Sequence, residues 1–316
     1  MAAVTSVDRR STTLPWIALG VVYVVWGSTY LANRFIIVSM PPLLASGFRF
    51  MTGGLLLGLL VLVVTGPRTF ALTRAQLGTA ALSGLLLPAW GNGLVILAQS
   101  QVASGLTALL IASVPLYIAV FRALTGDRPR PATVLGVLVG AAGLALLVLV
   151  GPAGGSGGVS GNAWWGAPLV LVAGFGWAAG TFAAARRPVP ANPFALATVQ
   201  QLIGGMILVV VGTATGERLD LGAVAPVSWW AWLYMSLFVS LGAFSSYAYA
   251  LANLPVSTVA TYAYVNPVIA VVLGVTVAGE RFAPVQLAGG AIVLFAVVMV
   301  IAAERRARAL PDQGST

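Results

Sequence analysis

The sequence predicts an all-α polytopic membrane protein, with ten transmembrane helices arranged as two inverted five-helix repeats. Three observations predict it. Apolar residues make up 59% of the chain and charged residues 7%, where soluble domains hold about 45–50% and about 25%. The apolar residues fall into runs of about 20, the length a helix needs to cross a ~30 Å hydrocarbon core. Finally, the two halves of the chain repeat one another's landmarks at a nearly constant offset.

The spans are read at 14–36, 41–64, 76–98, 103–124, 132–151, 163–185, 194–213, 229–252, 256–277 and 284–303. "MAAVTSVDRRSTTLPW" precedes the first. The apolar stretch after it is too long for a signal peptide, and no small-residue cleavage site follows. It is expected to be an uncleaved span. Among the connections, "GPAGGSGGVSGN" at 151–162 is glycine-rich and reads as a flexible linker. The predicted organisation is a tail at 1–13, a first repeat at 14–151, an outer-side linker at 152–162, a second repeat at 163–303 and a tail at 304–316. No extramembrane domain is expected.

Orientation follows from the basic residues. All sixteen are arginine. A cytoplasmic N-terminus puts twelve of them on the cytoplasmic side (Arg9, Arg10, Arg68, Arg74, Arg122, Arg128, Arg130, Arg186, Arg187, Arg305, Arg306 and Arg308) and only Arg218 and Arg281 opposite. Arg34 and Arg49 lie in or at the end of spans. Both termini are therefore expected to be cytoplasmic.

The repeat is visible in three pairs of spans. Ser104, Gly126 and Pro131 are spaced like Ser257, Gly279 and Pro284, and each glycine opens an acid–arginine pair, "GDR" or "GER". Each of these spans also carries a proline expected mid-helix, Pro115 and Pro267. Pro42, Gly53 and Gly54 match Pro193, Gly204 and Gly205 at an offset of 151, which Trp26 and Trp177 share. Five spans is an odd number, so the second half must enter the membrane inverted. Inverted repeats characterise transporters that rock about a midplane site.

The segments "VVWGSTYLANRF", "PPLLASGFRF", "SVPLY", "GDRP" and "TYAYVNPVIAVVLGVTVAGE" resemble the EamA family of the drug/metabolite transporter superfamily. The resemblance runs from about residue 14 to 303, over both EamA-type halves, and rests on the order and spacing of these segments. It implies a ten-helix inverted-repeat fold and an inner-membrane exporter of amino acids or similar small metabolites. It also implies that the last helix of each half packs at the periphery. Gly136, Gly140 and Gly143 on 132–151 have small-residue spacing suited to that contact.

Polar and aromatic residues sharing a helical face mark the expected cavity wall. Tyr23, Trp26, Tyr30 and Asn33 form one stripe, and Gly174, Trp177 and Thr181 repeat its spacing. Trp90 and Asn92 come from the third span, with Gln99 and Gln101 at its end. Ser246, Tyr249 and Asn253 share a stripe on the eighth span, and Ser257, Thr261 and Tyr264 on the ninth. Asn266 precedes Pro267, whose missing N–H frees a carbonyl. The candidate substrate-binding residues are thus Trp26, Tyr30, Arg49, Trp90, Asn92, Trp177, Tyr249, Tyr264 and Asn266. Helix–helix hydrogen bonding is the alternative role for the polar ones. Trp164, Trp229 and Trp230 stand at span starts and read as interface anchors.

Arg49 is the unusual residue. It lies about 10 Å from the nearer end of its helix, where an arginine costs about 2.5–3.5 kcal/mol even on the mild insertion scale. None of the seven acids is inside a span, and the repeat partner of Arg49 is the neutral Gln200. Two readings stay open: donation to helix-end carbonyls, or attraction of a substrate carboxylate through paired N–H donors.

Other classes fit less well. With no cysteine or histidine, the chain has no thiol nucleophile, disulfide or Cys/His metal site. Without acids in the spans it lacks the groups for intramembrane hydrolysis. The arginines are dispersed between apolar runs, so a nucleic-acid partner is not expected, and no cofactor or metal is. Multidrug efflux of organic cations is the alternative transport reading, weakened by the missing intramembrane carboxylate. A receptor or scaffold would leave the repeat unexplained. The expected partners are a small-molecule substrate and the bilayer, with the protein a monomer or weak homodimer in the inner membrane.

Overall fold

The structure is a computed structural model describing residues 13–126, 129–150, 165–254, 256–259 and 261–309. The first twelve residues, Asp127 and Arg128, the linker 152–162 with Trp164, and residues 310–316 lie outside the described residues. Helix is the regular structure throughout what is described. Eight of its helices are long and apolar enough to cross a membrane. These include α1 (Leu14–Ile36), α2 (Pro42–Thr65), α3 (Arg74–Ala98), α4 (Ser104–Leu124) and α5 (Pro131–Leu149). They continue with α6 (Gly166–Ala184), α7 (Pro193–Ala214) and, after two interrupted helices, α10 (Pro284–Ala303). The interrupted ones are α8, running Pro226–Tyr234, Met235–Ala243 and Phe244–Asn253, and α9, Tyr262–Ala278, preceded by the turn Val256–Val259. All fall within a few residues of the apolar runs, because the lipid-length requirement is written directly into composition.

Helix starts and stops have local causes. Proline opens α2, α5, α7, α8 and α10, where its missing N–H removes a donor that has no helical partner anyway. Thr73 and Gln76 form a capping box on α3, and the Asn192 side chain accepts from the N–H groups of Phe194 and Ala195 on α7. Four glycines with positive φ end helices: Gly66 (80°), Gly126 (100°), Gly216 (87°) and Gly279 (63°). They follow α2, α4, α7 and α9, the second and fourth helices of each half.

Several helices are broken mid-course. α1 ends at Gly27 and resumes at Thr29. α4 ends at Ile111 and resumes at Val114, so Pro115 sits in the first turn of the second piece rather than mid-helix as expected. There its missing N–H costs nothing. Pro267 does lie inside α9. The middles of α3 (Leu85–Asn92) and α8 (Met235–Ala243) are π-helical, a geometry enriched at functional sites. In α3 the π segment surrounds Pro88; in α8 the Ser240 hydroxyl donates to the Met235 carbonyl at 3.4 Å.

The helices pair across the halves. α2 lies along α7, and α5 along α10. α1 packs on α8 and α9 of the second half, while α6 packs on α3 and α4 of the first. The α2–α7 crossing is made of glycine: Gly47 faces the Gly205 carbonyl, Gly205 faces the Gly47 carbonyl, and Gly204 rests on Pro88 and the Gly84 carbonyl. Gly136, Gly140 and Gly143 of α5 meet Val300, Ala296 and Val293 of α10. Lipid tails are as apolar as leucine, so close backbone approach of this kind must supply the attraction.

Candidate functional site

The cross-half packing of α1 creates an aromatic cluster. Trp26 lies tilted at 5.1 Å from Tyr247 of α8 and edge-on at 5.2 Å from Tyr262 of α9, and those two tyrosines meet at 5.7 Å. Tyr23 hydrogen-bonds Thr261 through the hydroxyls. Asn266 is buried, and with its amide turned to suit its neighbours it donates to the Tyr23 and Tyr262 carbonyls, 3.3 Å each. A second cluster forms where α6 crosses α3. Trp177 lies against Gly91, and Gly176 lies under the Trp90 indole, whose N–H donates to the Val172 carbonyl at 3.0 Å. Asn92 donates back to Leu87 within the π turn.

One end of the bundle, the arginine-poor one, is tied by buried and half-buried polar bridges. Glu280 is 3% exposed and follows Gly279, the helix-ending glycine of α9. Its carboxylate accepts from Arg34 Nη1 at 2.7 Å and from the backbone N–H groups of Ser104 (2.7 Å) and Gly105 (3.1 Å). Every one of these partners is a donor, and the last two are orphan donors of the α4 N-terminus. Gln99 joins α3 to α1 by accepting from Asn33 at 3.0 Å and donating to the Tyr30 carbonyl at 2.7 Å. Ser39, Ser228 and the Phe35 carbonyl link the α1–α2 turn to α8. Glu217 follows Gly216 and takes the Leu43 and Leu44 N–H groups of α2 at 3.2 and 2.9 Å. "GER" thus occurs twice, at 216–218 and 279–281, and both glutamates cap first-half helices from the second half.

Arg49 stands apart from both clusters. It is 3% exposed; its guanidinium lies 3.9 Å above the Phe50 ring, and Nη1 donates to the Met235 sulfur at 3.9 Å, a weak acceptor. Its Nε is buried without a hydrogen-bond partner, as are Gln201 Oε1 and Ser236 Oγ. Glu280 is engaged with Arg34 rather than Arg49.

The nine sequence candidates therefore separate. Trp26 and Asn266 join one cluster; Tyr30 lends its carbonyl to Gln99 nearby. Trp90, Asn92 and Trp177 meet in the other. Tyr264 packs against the core around Leu106 and Leu109, and Tyr249 is 41% exposed. Sequence reasoning missed Tyr247, Tyr262, Gln201 and Ser236. The π segment inserts extra residues per turn and so rotates everything after it, hiding which stripe of α8 faces α1. The duplicated "GER" was a visible signal for Glu217.

Comparison with known proteins agrees with this architecture. The profile of the EamA-like transporter family matches residues 14–149 and again 164–302. The chain belongs to that family and is a membrane transporter. It is 37% identical over 285 residues to the uncharacterized inner membrane transporter YedA of Escherichia coli (strain K12), covering 90% of this chain and 89% of that one. A chloroplastic WAT1-related protein of Arabidopsis thaliana is 25% identical, covering 92% and 70%. The uncharacterized transporter YvbV of Bacillus subtilis (strain 168) is 25% identical, covering 89% and 90%. A solved crystal structure at 19% identity superposes with a TM-score of 0.60 over 93% of this chain and 98% of that chain, which shows the shared fold.

Proposed function

We propose that this transporter exports small zwitterionic metabolites, amino acids foremost, by alternating access between two inverted five-helix repeats, and that the substrate moves along its own gradient. The observation that carries the reading is the mirrored crossover, α1 onto α8 and α9, α6 onto α3 and α4. Each crossover brings one tryptophan of the 151-residue offset pair, Trp26 or Trp177, against a helix with a π-helical middle. The positive-φ glycines ending α2, α7, α4 and α9 follow the same pairing. This supports a two-fold relation in the membrane plane, ten spans with α8 and α9 among them, repeats at 14–151 and 163–303, and both termini cytoplasmic in the inner membrane.

Buried and half-buried bridges at the arginine-poor end support a closed outer gate. At the arginine-rich end the corresponding bonds, Gln76 to the Val189 carbonyl and Arg186 to Thr125, are exposed. Among the described residues no group of three or more His, Cys, Asp or Glu side chains lies together; Glu280, the buried acid, is held by donors. That favours facilitated diffusion or exchange. The aromatic cluster at Trp26 also fits an organic cation, the second transport reading. Counterflow by purified protein in liposomes, screened across amino acids, sugars and quaternary amines, decides between them. Amino-acid counterflow is expected, and quaternary-amine counterflow alone would overturn the amino-acid reading.

A further inference from the structure

Three buried polar atoms lack hydrogen-bond partners, one on each of α2, α7 and α8: Arg49 Nε, Gln201 Oε1 and Ser236 Oγ. Contacts tie α2 to α7 and α8 around them. Arg49 reaches the Met235 sulfur, and Ser236 is the next residue. Gly53 is one helical turn from Arg49. A Cβ at Gly53 would stand 2.5 Å from Ser240 Oγ and 2.9 Å from Gln201 Oε1. Ser240 in turn bonds the Met235 carbonyl. Met235, Ser236 and Ser240 all belong to the π segment of α8, Met235–Ala243.

Leaving buried polar groups unpaired costs about 1–3 kcal/mol each, more for a charged one. A fold that merely needed close packing at a glycine-built crossing would place apolar side chains there. The unpaired atoms are instead of complementary kinds: a cationic donor, an amide acceptor and a hydroxyl able to do either. A carboxylate answers the guanidinium, and an ammonium answers the amide oxygen and hydroxyl.

We propose that Arg49, Gln201 and Ser236 form a subsite that reads the zwitterionic head of an α-amino acid, with Arg49 on the carboxylate and Gln201 Oε1 with Ser236 Oγ on the ammonium. It rests on the amino-acid reading above and adds the residues that choose an amino acid over its half-molecules. The site does not depend on repeat symmetry, since the residue matching Arg49 is Gln200, which donates to Ser83 at 2.8 Å.

The test is competition against labelled phenylalanine counterflow in liposomes by unlabelled phenylalanine, 3-phenylpropionate and phenethylamine. Wild-type protein is expected to prefer phenylalanine to both analogues. In Gln201→Leu, phenylalanine and phenethylamine should weaken about tenfold or more relative to 3-phenylpropionate, the change expected for losing a hydrogen bond to a charged group. Ser236→Ala should shift the same ratio in the same direction. Arg49→Gln should weaken phenylalanine and 3-phenylpropionate while sparing phenethylamine. Ratios do not depend on how much protein folds, so low expression of one variant leaves the reading intact. Unchanged ratios in both Gln201→Leu and Ser236→Ala, with wild-type counterflow present, would overturn the subsite alone. Absence of any phenylalanine counterflow in the wild type, with no other amino acid transported, would remove the amino-acid reading and the subsite together.

Discussion

A tryptophan in a membrane bundle either anchors at the lipid headgroups or packs inside, and the two roles respond differently to truncation. Trp26 touches two tyrosines from the opposite half, and Trp177 lies on Gly91. Trp230 is 73% exposed, and Trp229 meets Trp232 edge-on at the start of α8. Trp26→Ala and Trp177→Ala should each lower counterflow about tenfold or more, the scale of losing a large aromatic contact, while Trp229→Ala and Trp230→Ala should leave it within about twofold. Equal small effects on all four would assign the first two to packing. Arg49 was conspicuous in the sequence because an arginine inside "GFRFMTGGLLLGLLVLV" is expensive. Its surroundings were not legible. Met235, which its guanidinium reaches, comes from a helix far along the chain, and no spacing rule links it to residue 49.

At the scale of helices, α2 and α7 depend on glycine. A Cβ at Gly205 would stand 2.8 Å from the Gly47 carbonyl and 2.9 Å from the Met51 nitrogen. These are backbone atoms, which cannot turn aside. Gly205→Val should therefore destabilise the purified protein by about 1–3 kcal/mol, read as a lower midpoint in a thermal scan in detergent. Gly78→Val, with nothing within 4 Å of its Cβ, is the control expected to change little. The matched glycine pairs were visible in the sequence, as were the apolar runs, since both report directly on what lipid and close approach demand. The π segments were not visible. They arise when a backbone donor is missing, as at Pro88, or when a carbonyl finds another donor, as with Ser240 and Met235. Pro88 stood in plain view, but a proline in a span predicts a kink as readily as a π turn, and the Ser240–Met235 bond leaves no mark in the sequence.

The cross-half glutamates belong to this scale too. Glu280 holds Arg34 and two N–H groups of α4 together. Glu280→Gln keeps the shape but gives up the charge, and a carboxamide offers one acceptor oxygen to three donors. The arginine-poor end should then open more often. The chain has no cysteine, so a single Ser104→Cys, at a buried position whose hydroxyl has no partner, serves as a clean reporter. Its labelling by a membrane-impermeant maleimide should quicken about tenfold in the Glu280→Gln background, the scale of one lost charged hydrogen bond. An unchanged rate would mean that Glu280 is a helix cap and no more.

For the whole molecule, family membership and the placement of its acids together bear on how transport is driven. The chain is an EamA-like transporter, and its described helices carry no histidine, with acids confined to helix ends and turns. A proton carried through such a bundle needs an acid or histidine along its path, and the Glu280 carboxylate is instead committed to Arg34 and two backbone N–H groups at one end of the bundle. The central claim is that substrate moves down its own gradient. It is tested most directly in liposomes loaded to an inward-directed or outward-directed pH gradient, with membrane potential clamped and a counterflow-positive amino acid at equal concentration on both sides. No net accumulation in either direction, and equal exchange rates with and without the gradient, are expected. Accumulation driven by the pH gradient and abolished by Glu280→Gln would contradict that claim and make Glu280 the proton carrier.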